Sequence, residues 1–381
     1  SHCSNRSNRS NRSNCSTRGN EKIRIRTLPH RRPGNRLNSE PRRQRHPTPA
    51  PAGVALYTLT LMSQKILQPG EIGQHEPFPN VVLPNDIALF DNRARRFAHL
   101  ARNHAMGPLL GAMAQIAAAQ DQAYRAQGPV AIDDELLAQS REHGMPALSY
   151  QGERDPSWLT DVDAIIAALL TCPEPVLQDA AARLQAIDAD GREAIADAIF
   201  GGGIAGGDAE SHALLAPLVG AALQVWTTRQ AASMTLGDVG LVGASTVCPC
   251  CGSRPVASVI EIGPNQHSLR YLHCALCATQ WHMVRVTCTC CESTKDISYY
   301  SLNGVEADEP SKKIAFARAE ACDACHSYLK IFNREKEPMM DVVADDLATL
   351  TLDMLVDEAG YLRSGPNLLF APGAPDDGDP G

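Results

Sequence analysis

Four C-x-x-C pairs constrain the fold of this 381-residue chain more than any other feature of its sequence. Two cysteines separated by two residues fit on one tight turn with both sulfurs directed at a common point. Two such turns supply the four thiolates of a tetrahedral metal site, so four pairs predict two sites. The predicted ligands are Cys248, Cys251, Cys274, Cys277, Cys288, Cys291, Cys322 and Cys325.

The spacing of the pairs favours a tandem arrangement. It leaves 22 residues between CPCC and CALC and 30 between CTCC and CDAC, and each interval has room for a β-hairpin. A cross-braced arrangement, in which the first pair joins the third and the second joins the fourth, stays open on spacing alone. A thioredoxin-like dithiol would need a βαβ context, which the sequence does not show.

The predicted cofactors are two metal ions, either Zn²⁺ or a rubredoxin-type Fe, because four thiolates suit both. A catalytic zinc keeps three protein ligands and an open position, so complete thiolate sets favour a structural or electron-transfer role. Only the first pair is followed by the glycine that rubredoxin and zinc-ribbon turns favour. Three nearby histidines and the extra cysteines inside two of the pairs are interpreted as non-ligands: His273, His282, His326, Cys250 and Cys290.

Charge is divided unevenly along the chain. Of the 35 Lys and Arg and the 43 Asp and Glu, residues 1–61 hold 13 and 2, which leaves 22 and 41 and a net charge of −19 for the remainder. A protein that reads nucleic acid needs a basic face to neutralise phosphates. The acidic body therefore predicts that nucleic acid is not a partner.

Residues 1–61 have the composition of a disordered basic tail. They open with a repeated Ser-Asn-Arg triplet and contain too few apolar residues to offset the entropy of ordering. More protein-like sequence begins at Met62, so the tail is interpreted as lying outside the native protein; a tail that binds an acidic partner is the alternative. Residues 62–86 are predicted to form an extended arm.

Helical periodicity dominates residues 87–240, which are predicted to be a helical domain. Ile87–Gln127 predicts one long helix, or two helices interrupted near Gly107. The glycines at 201–207 lack the strand, Lys and Ser/Thr of a phosphate-binding loop and are interpreted as an interhelical loop. The other predicted helices are Asp133–His143, Trp158–Leu170, Glu174–Ile187, Arg192–Phe200 and His212–Ala231.

Short strands replace helices beyond residue 240. Residues 241–287 and 288–335 are predicted to be two four-cysteine modules, followed at 336–381 by a C-terminal helix and tail. That helix is expected to begin at an Asp341 cap and to end at Gly360. The predicted strands are Pro255–Ile262, Leu269–His273, Gln280–Val286, Ile297–Leu302, Ile314–Ala319 and Ser327–Phe332.

The predicted fold class is therefore α+β and multidomain: a helical N-terminal bundle, two tandem rubredoxin-like or zinc-ribbon modules and a C-terminal helix. No apolar run approaches the roughly 18 to 20 residues that a membrane-spanning helix needs, and no convincing secretory signal is present. We expect a cytoplasmic protein without membrane insertion. No Ser/His/Asp arrangement, carboxylate pair or phosphate loop stands out, so the sequence does not predict an enzyme.

Several segments together resemble the FdhE family of formate dehydrogenase accessory proteins. They are CPCCGSRPVASVI, LRYLHCALCATQWHMVRVTCTCC, TKDISYYSL, ACDACHSYLKIF and DVVADDLATLTLDMLVDEAGYLRSGPN, and the likeness spans about residues 62–373. The resemblance implies a helical domain followed by two rubredoxin-like metal modules, with the eight paired cysteines as ligands and iron associated with them.

The same resemblance implies a partner and a function. Members of the family are required for the activity of respiratory formate dehydrogenase and bind the catalytic subunit of that enzyme in the cytoplasm. An autonomous rubredoxin-like electron-transfer protein is the alternative, since a lone iron held by four thiolates can change oxidation state.

Overall fold

The computed structural model describes residues 78–148, 154–201, 209–240, 245–262, 268–302 and 315–370. The predicted tail at 1–61 and the arm up to residue 77 lie outside these residues. Within the described part, the chain runs from a short strand through a helical region to a sheet and ends in two short helices and a last strand.

The helical region contains seven α-helices among the residues described, and a short 3-10 helix, Leu236–Asp238, follows them. The helices are α1 (Leu89–Ala101), α2 (Gly107–Ala126), α3 (Asp134–His143), α4 (Trp158–Leu169), α5 (Pro175–Gln185), α6 (Ala189–Gly201) and α7 (Ala209–Ser233). Of the two alternatives predicted for Ile87–Gln127, the structure shows two helices, interrupted before Gly107. A Cβ at Gly107 would lie 2.6 Å from the carbonyl oxygen of Ala101, so only glycine lets the chain approach so closely.

Helix α7 lies at the centre of the bundle, in contact with α2, α4, α5 and α6. Residues 215–229 are all buried, because the sequence of this helix has no segregated polar face. Its buried polar groups find partners inside the protein. Arg229 pairs with Asp161, and Gln224 Nε2 donates to the carbonyl oxygen of Ala275 at 2.7 Å, which ties the bundle to the cysteine region.

The cysteine region forms a single eight-stranded sheet. Its strands are β1 (Val81–Val82), β2 (Pro255–Ile260), β3 (Arg270–Cys274), β4 (Gln280–His282), β5 (Ile297–Tyr300), β6 (Ala317–Cys322), β7 (Ser327–Asn333) and β8 (Leu362–Arg363). They run in the order β1-β4-β3-β2-β7-β6-β5, and β8 pairs with β7. Each half of the sheet therefore carries one of the predicted modules, and a strand from the predicted arm adds to one edge.

The two halves of the sheet join through β2 and β7, which are parallel and place Ser258 opposite Ile331. A buried ion pair also crosses this boundary, because Arg270 Nη2 on β3 lies 2.8 Å from Glu320 Oε1 on β6. The two halves of the sheet are therefore joined by backbone hydrogen bonds between β2 and β7 and by the ion pair between Arg270 and Glu320.

The C-terminal helix predicted over Asp341–Gly360 is in fact two helices, α8 (Val342–Ala348) and α9 (Leu350–Glu358). The predicted start is confirmed, because the Asp341 carboxylate accepts hydrogen bonds from two backbone N–H groups of the first turn at 3.0 and 2.9 Å. The prediction of a single helix is wrong, because helical geometry is interrupted after Ala348.

The break lies at Thr349, where the backbone leaves helical geometry. The Thr349 hydroxyl donates to the carbonyl oxygen of Asp345 at 2.8 Å, and Lys330 Nζ donates to that of Asp346 at 2.7 Å. Side chains thus occupy the acceptors that a continuous helix would offer to its own N–H groups. One of them comes from β7, so the break depends on tertiary structure.

Candidate metal centres

The first four cysteines form one cluster, with all their sulfurs within 4.8 Å of one another. The Sγ atoms of Cys248 and Cys277 are 3.5 Å apart, and those of Cys251 and Cys274 are 3.4 Å apart. A tetrahedron with metal–sulfur bonds of about 2.3 Å has sulfur–sulfur edges of about 3.8 Å. The donor set therefore fits one tetrahedral ion.

The last four cysteines form a second cluster of similar shape. The Sγ atoms of Cys288 and Cys325 are 3.6 Å apart, and those of Cys291 and Cys322 are 3.7 Å apart. The first C-x-x-C pair thus meets the second, and the third meets the fourth. This is the tandem arrangement, and it excludes the cross-braced one.

All four C-x-x-C turns share one backbone conformation. The residue after the second cysteine of each pair has a positive φ: 73° at Gly252, 58° at Ala278, 61° at Glu292 and 53° at His326. The left-handed region costs roughly 1 to 2 kcal/mol for a residue with a side chain. Three turns keep it without glycine, so the surrounding structure imposes the geometry that converges the sulfurs.

Hydrogen bonds explain how these turns hold their shape. The N–H of Gly252 donates to the carbonyl oxygen of Cys248 at 2.9 Å, which closes the first turn. In the second turn, the N–H groups of Leu276 and Cys277 both lie 3.3 Å from Cys274 Sγ. These N–H groups stabilise negative charge on that sulfur, as a metal-bound thiolate requires.

The residues interpreted as non-ligands lie outside both clusters. Cys250 is fully buried, whereas Cys290 is half-buried. His273 Nε2 lies 3.6 Å from a carboxylate oxygen, His282 lies on β4, and His326 occupies the left-handed position of the fourth turn.

The first cluster belongs to the main hydrophobic core. Its four cysteines are at most 3% exposed and share that core with the helical bundle. The bundle also contacts the turns through backbone groups, since the N–H of Leu148 donates to the carbonyl oxygen of Cys250 at 2.8 Å. The first centre is therefore part of the join between the helices and the sheet.

Deprotonated thiols in this buried position would need a cation. Burial raises the pKa of the Cys248 thiol and that of the Cys251 thiol well above the usual value, because charged sulfur is costly to bury. Four thiolates would repel one another there unless a positive ion neutralised them. A coordinated metal would supply that charge and would keep the thiols deprotonated.

The second cluster lies at the surface. Cys291 is exposed and Cys325 half-buried, and the cluster belongs to a small satellite group of apolar residues with Ile297. A hydrogen bond from the backbone of Ser293 lowers the pKa of Cys291, whereas burial raises the pKa of Cys288. One side of this centre thus faces solvent.

A buried charge network lies under the second half of the sheet, and no local sequence pattern indicates it. Lys330 Nζ is 3.0 Å from Asp346 Oδ1 and also contacts Asp353. Arg363 lies 2.8 Å from Asp346 and 3.2 Å from Asp353. Burial raises the pKa of Asp346, but the charges of Arg363 and Lys330 outweigh that effect and lower it.

The acidic residues of α8 have more specific roles than sequence reasoning assigns to them. Their position near the start of a helix predicts first-turn charges that complement the helix dipole, yet Asp345 and Asp346 are both buried. Asp345 accepts two hydrogen bonds from Arg96 of α1, at 2.6 and 2.9 Å, while Asp346 belongs to the charge network. Periodicity places these side chains on a helix, but only the tertiary fold supplies their partners.

A helical domain joined to a sheet with two four-cysteine clusters defines a protein with two centres of zinc-ribbon type. Comparison with known families makes the class specific. The family model "FdhE, N-terminal" matches residues 78–240, "FdhE, central domain" matches 247–285, and "FdhE, C-terminal domain" matches 286–370. The chain belongs to the FdhE family.

Individual relatives agree with this assignment. The chain is 40% identical over 315 residues to a Protein FdhE homolog of Pseudomonas aeruginosa, which covers 82% of this chain and 99% of the relative. A homolog from Edwardsiella ictaluri is 38% identical over 304 residues, 78% of this chain and 93% of the relative. The crystal structure of the FdhE protein from Pseudomonas aeruginosa superposes with a TM-score of 0.68 at 37% identity, and the match covers 78% of this chain and 100% of that one.

In the ranges that the structure describes, no helix combines the length and the apolar character needed to cross a bilayer.

Proposed function

We propose that this protein is an accessory factor of formate dehydrogenase, which acts in the cytoplasm by binding the catalytic subunit of that enzyme. Membership of the FdhE family supports the accessory role. The observation that carries the proposal is the pair of four-cysteine clusters on one sheet, because it makes the cysteine region a rigid platform with one centre at the surface. The platform covers the proposed modules at 241–287 and 288–335, and no residue is assigned a catalytic role.

The proposed ligands are the four cysteines of each cluster. Both donor sets fit Zn²⁺ or a single Fe, because the sulfurs form tetrahedra of the right size and offer only thiolates. A bound zinc would crosslink the turns, whereas a bound iron would also add a one-electron centre.

An electron-transfer protein of rubredoxin type is the second candidate function. The exposure of Cys291 favours it, because a centre that gives or takes electrons benefits from a sulfur at the surface. This function would apply to the second cluster, since the first is enclosed.

The test has two measurements on protein purified without oxygen. Metal content and an optical spectrum distinguish about two irons with thiolate charge-transfer bands from two colourless zincs. Binding of the purified catalytic subunit is then measured with the metal-loaded protein. We expect a stable complex; failure to bind the subunit, together with a reversible iron potential, would favour the electron-transfer function instead.

A further inference from the structure

A basic stretch stands out in this acidic protein. Arg93–His104 reads RARRFAHLARNH, with four arginines, two histidines and no acid, although the net charge beyond residue 61 is −19. Most of this stretch is α1 and the turn that follows it. The function proposed above gives it no role.

The exposed face of α1 lines a cleft of about 650 Å³. The opposite walls are the turn between β3 and β4 and the segment 334–341 that leads to α8. The exposed residues that line it from this side are Asn92, Arg95 and His99 of α1 and Arg102, which caps the helix. They recur at helical spacing on one face. A volume of this size is typical of ligand sites, which range from roughly 300 to 1,000 Å³.

The inner arginines of this helix form a rigid floor. Arg96 is held by two hydrogen bonds to Asp345 and lies 3.4 Å from Glu337. Arg93 Nε lies 3.4 Å from Asp341. These pairs neutralise the acids on the α8 side of the cleft and fix α1 in position, so the exposed charge of α1 at the cleft comes from its outer residues.

The outer residues are available to a ligand. The side chain of Arg95 is 75% exposed. Its partner Asp91 lies on the same helix, and such a surface ion pair contributes little to stability. Arg102 meets no carboxylate in the part of the chain that the structure describes. It donates to His99 Nδ1 at 2.9 Å, so the neutral ring carries its proton on Nε2 and offers a further donor.

The spacing of these donors defines the ligand. Arg95 and Arg102 are seven residues apart, which corresponds to about 10 Å along a helix. In a peptide extended in the polyproline II conformation, residues three apart lie on the same face and are separated by about 9 Å. Met339, 78% exposed on the opposite wall, adds an apolar contact beside the charges.

We infer that this cleft binds an extended acidic segment of the partner protein, with two carboxylates that pair with Arg95 and with the Arg102–His99 unit. Arginine guanidinium groups match carboxylates in geometry and charge. The inference rests on the proposed function, because the partner is the catalytic subunit of formate dehydrogenase.

The test compares two double variants of equal charge change. Arg95→Glu with Arg102→Glu reverses the charge of the outer residues at the cleft. The control, Arg125→Glu with Arg183→Glu, changes exposed arginines that pair with an Asp four residues earlier, as Arg95 does, and that lie outside the cleft. Affinity for the purified catalytic subunit is measured at low and high salt, together with metal content and circular dichroism as checks of folding.

We expect the cleft variant to bind at least about tenfold more weakly and to lose most of the salt dependence, while the control stays near wild type. Equal losses in both variants, or wild-type affinity in the cleft variant, would overturn the inference and leave the proposed function standing. Binding of inorganic pyrophosphate to the wild type and to the cleft variant is measured as well. If the cleft variant lost affinity for pyrophosphate and kept its affinity for the subunit, the ligand of the cleft would be a small anion and the inferred acidic peptide would be wrong. If the wild type did not bind the subunit, the proposed function would fail and the inference with it.

Discussion

The two cysteine clusters have nearly the same internal geometry and very different surroundings. In the first, every cysteine is at most 3% exposed and lies in the core shared with the helices. In the second, Cys291 is exposed and the apolar neighbours form only a small satellite group. The same motif can therefore close a core or present a metal centre at a surface, and burial separates the two roles.

The halves of the sheet are also stabilised by different forces. Apolar packing against α7 and α8 dominates around the first cluster. The second half adds a charge network that connects β7 to α8, α9 and β8. In it the buried Lys330 and Asp346 pair with the partly buried Asp353 and Arg363. We therefore expect changes in the two halves to have different consequences for the rest of the protein.

The largest difference should come from removing one ligand in each cluster. Cys251→Ser should abolish the first metal and disrupt the helical bundle too, because a structural zinc contributes on the order of 10 kcal/mol in small zinc-binding domains. Cys291→Ser should abolish the second metal and leave the bundle folded. Metal content and thermal unfolding followed by helical circular dichroism measure both effects; loss of the bundle in both variants would contradict the comparison.

The charge network should have the next largest effect. Lys330→Met leaves buried carboxylates with only one cation, and removal of one partner from a buried ion pair costs about 3 to 5 kcal/mol. Lys295→Met is the control, because Lys295 is exposed on the same half of the sheet. Urea denaturation gives the free energy of unfolding of each variant. A loss below about 1 kcal/mol for Lys330→Met would show that packing, and not the charge network, stabilises this half of the sheet.

Metal exchange should distinguish the clusters without any substitution. A chelator has access to the sulfur of Cys291, whereas the first cluster must open before it can be attacked. We expect two phases of metal release that differ by about tenfold or more, because local opening limits the slow phase. Cys291→Ser should remove the fast phase only; a single phase would mean that the two sites open together.

The smallest effect should come from the non-ligand cysteines. Cys290→Ser should retain both metals and change stability by no more than about 0.5 kcal/mol, since the thiol is half-buried and outside the cluster. Cys250→Ser should also retain both metals but cost about 1 to 3 kcal/mol, because it places a hydroxyl in the core. Loss of metal from Cys290→Ser would refute the proposed ligand set.

Much of this architecture follows from local pattern. Helical spacing predicts most helices within a few residues, and the break before Gly107 and the Asp341 cap follow from known preferences at helix ends. Strand ends are less accurate: the strand predicted over Gln280–Val286 ends at His282. The preference of C-x-x-C turns for a following glycine does not predict all of these turns, because Ala278 adopts the same left-handed conformation as Gly252.

The sequence by itself determined the helical region, the strand-rich cysteine region and the eight cysteines that converge, because the spacing of residues along the chain controls local geometry. Only the tertiary structure decided that β2 pairs with β7, that one cluster is enclosed and the other exposed, and that Asp346 meets Lys330. These features depend on contacts between residues distant in the chain. Their energies come from burial and from charges that only the complete fold brings together.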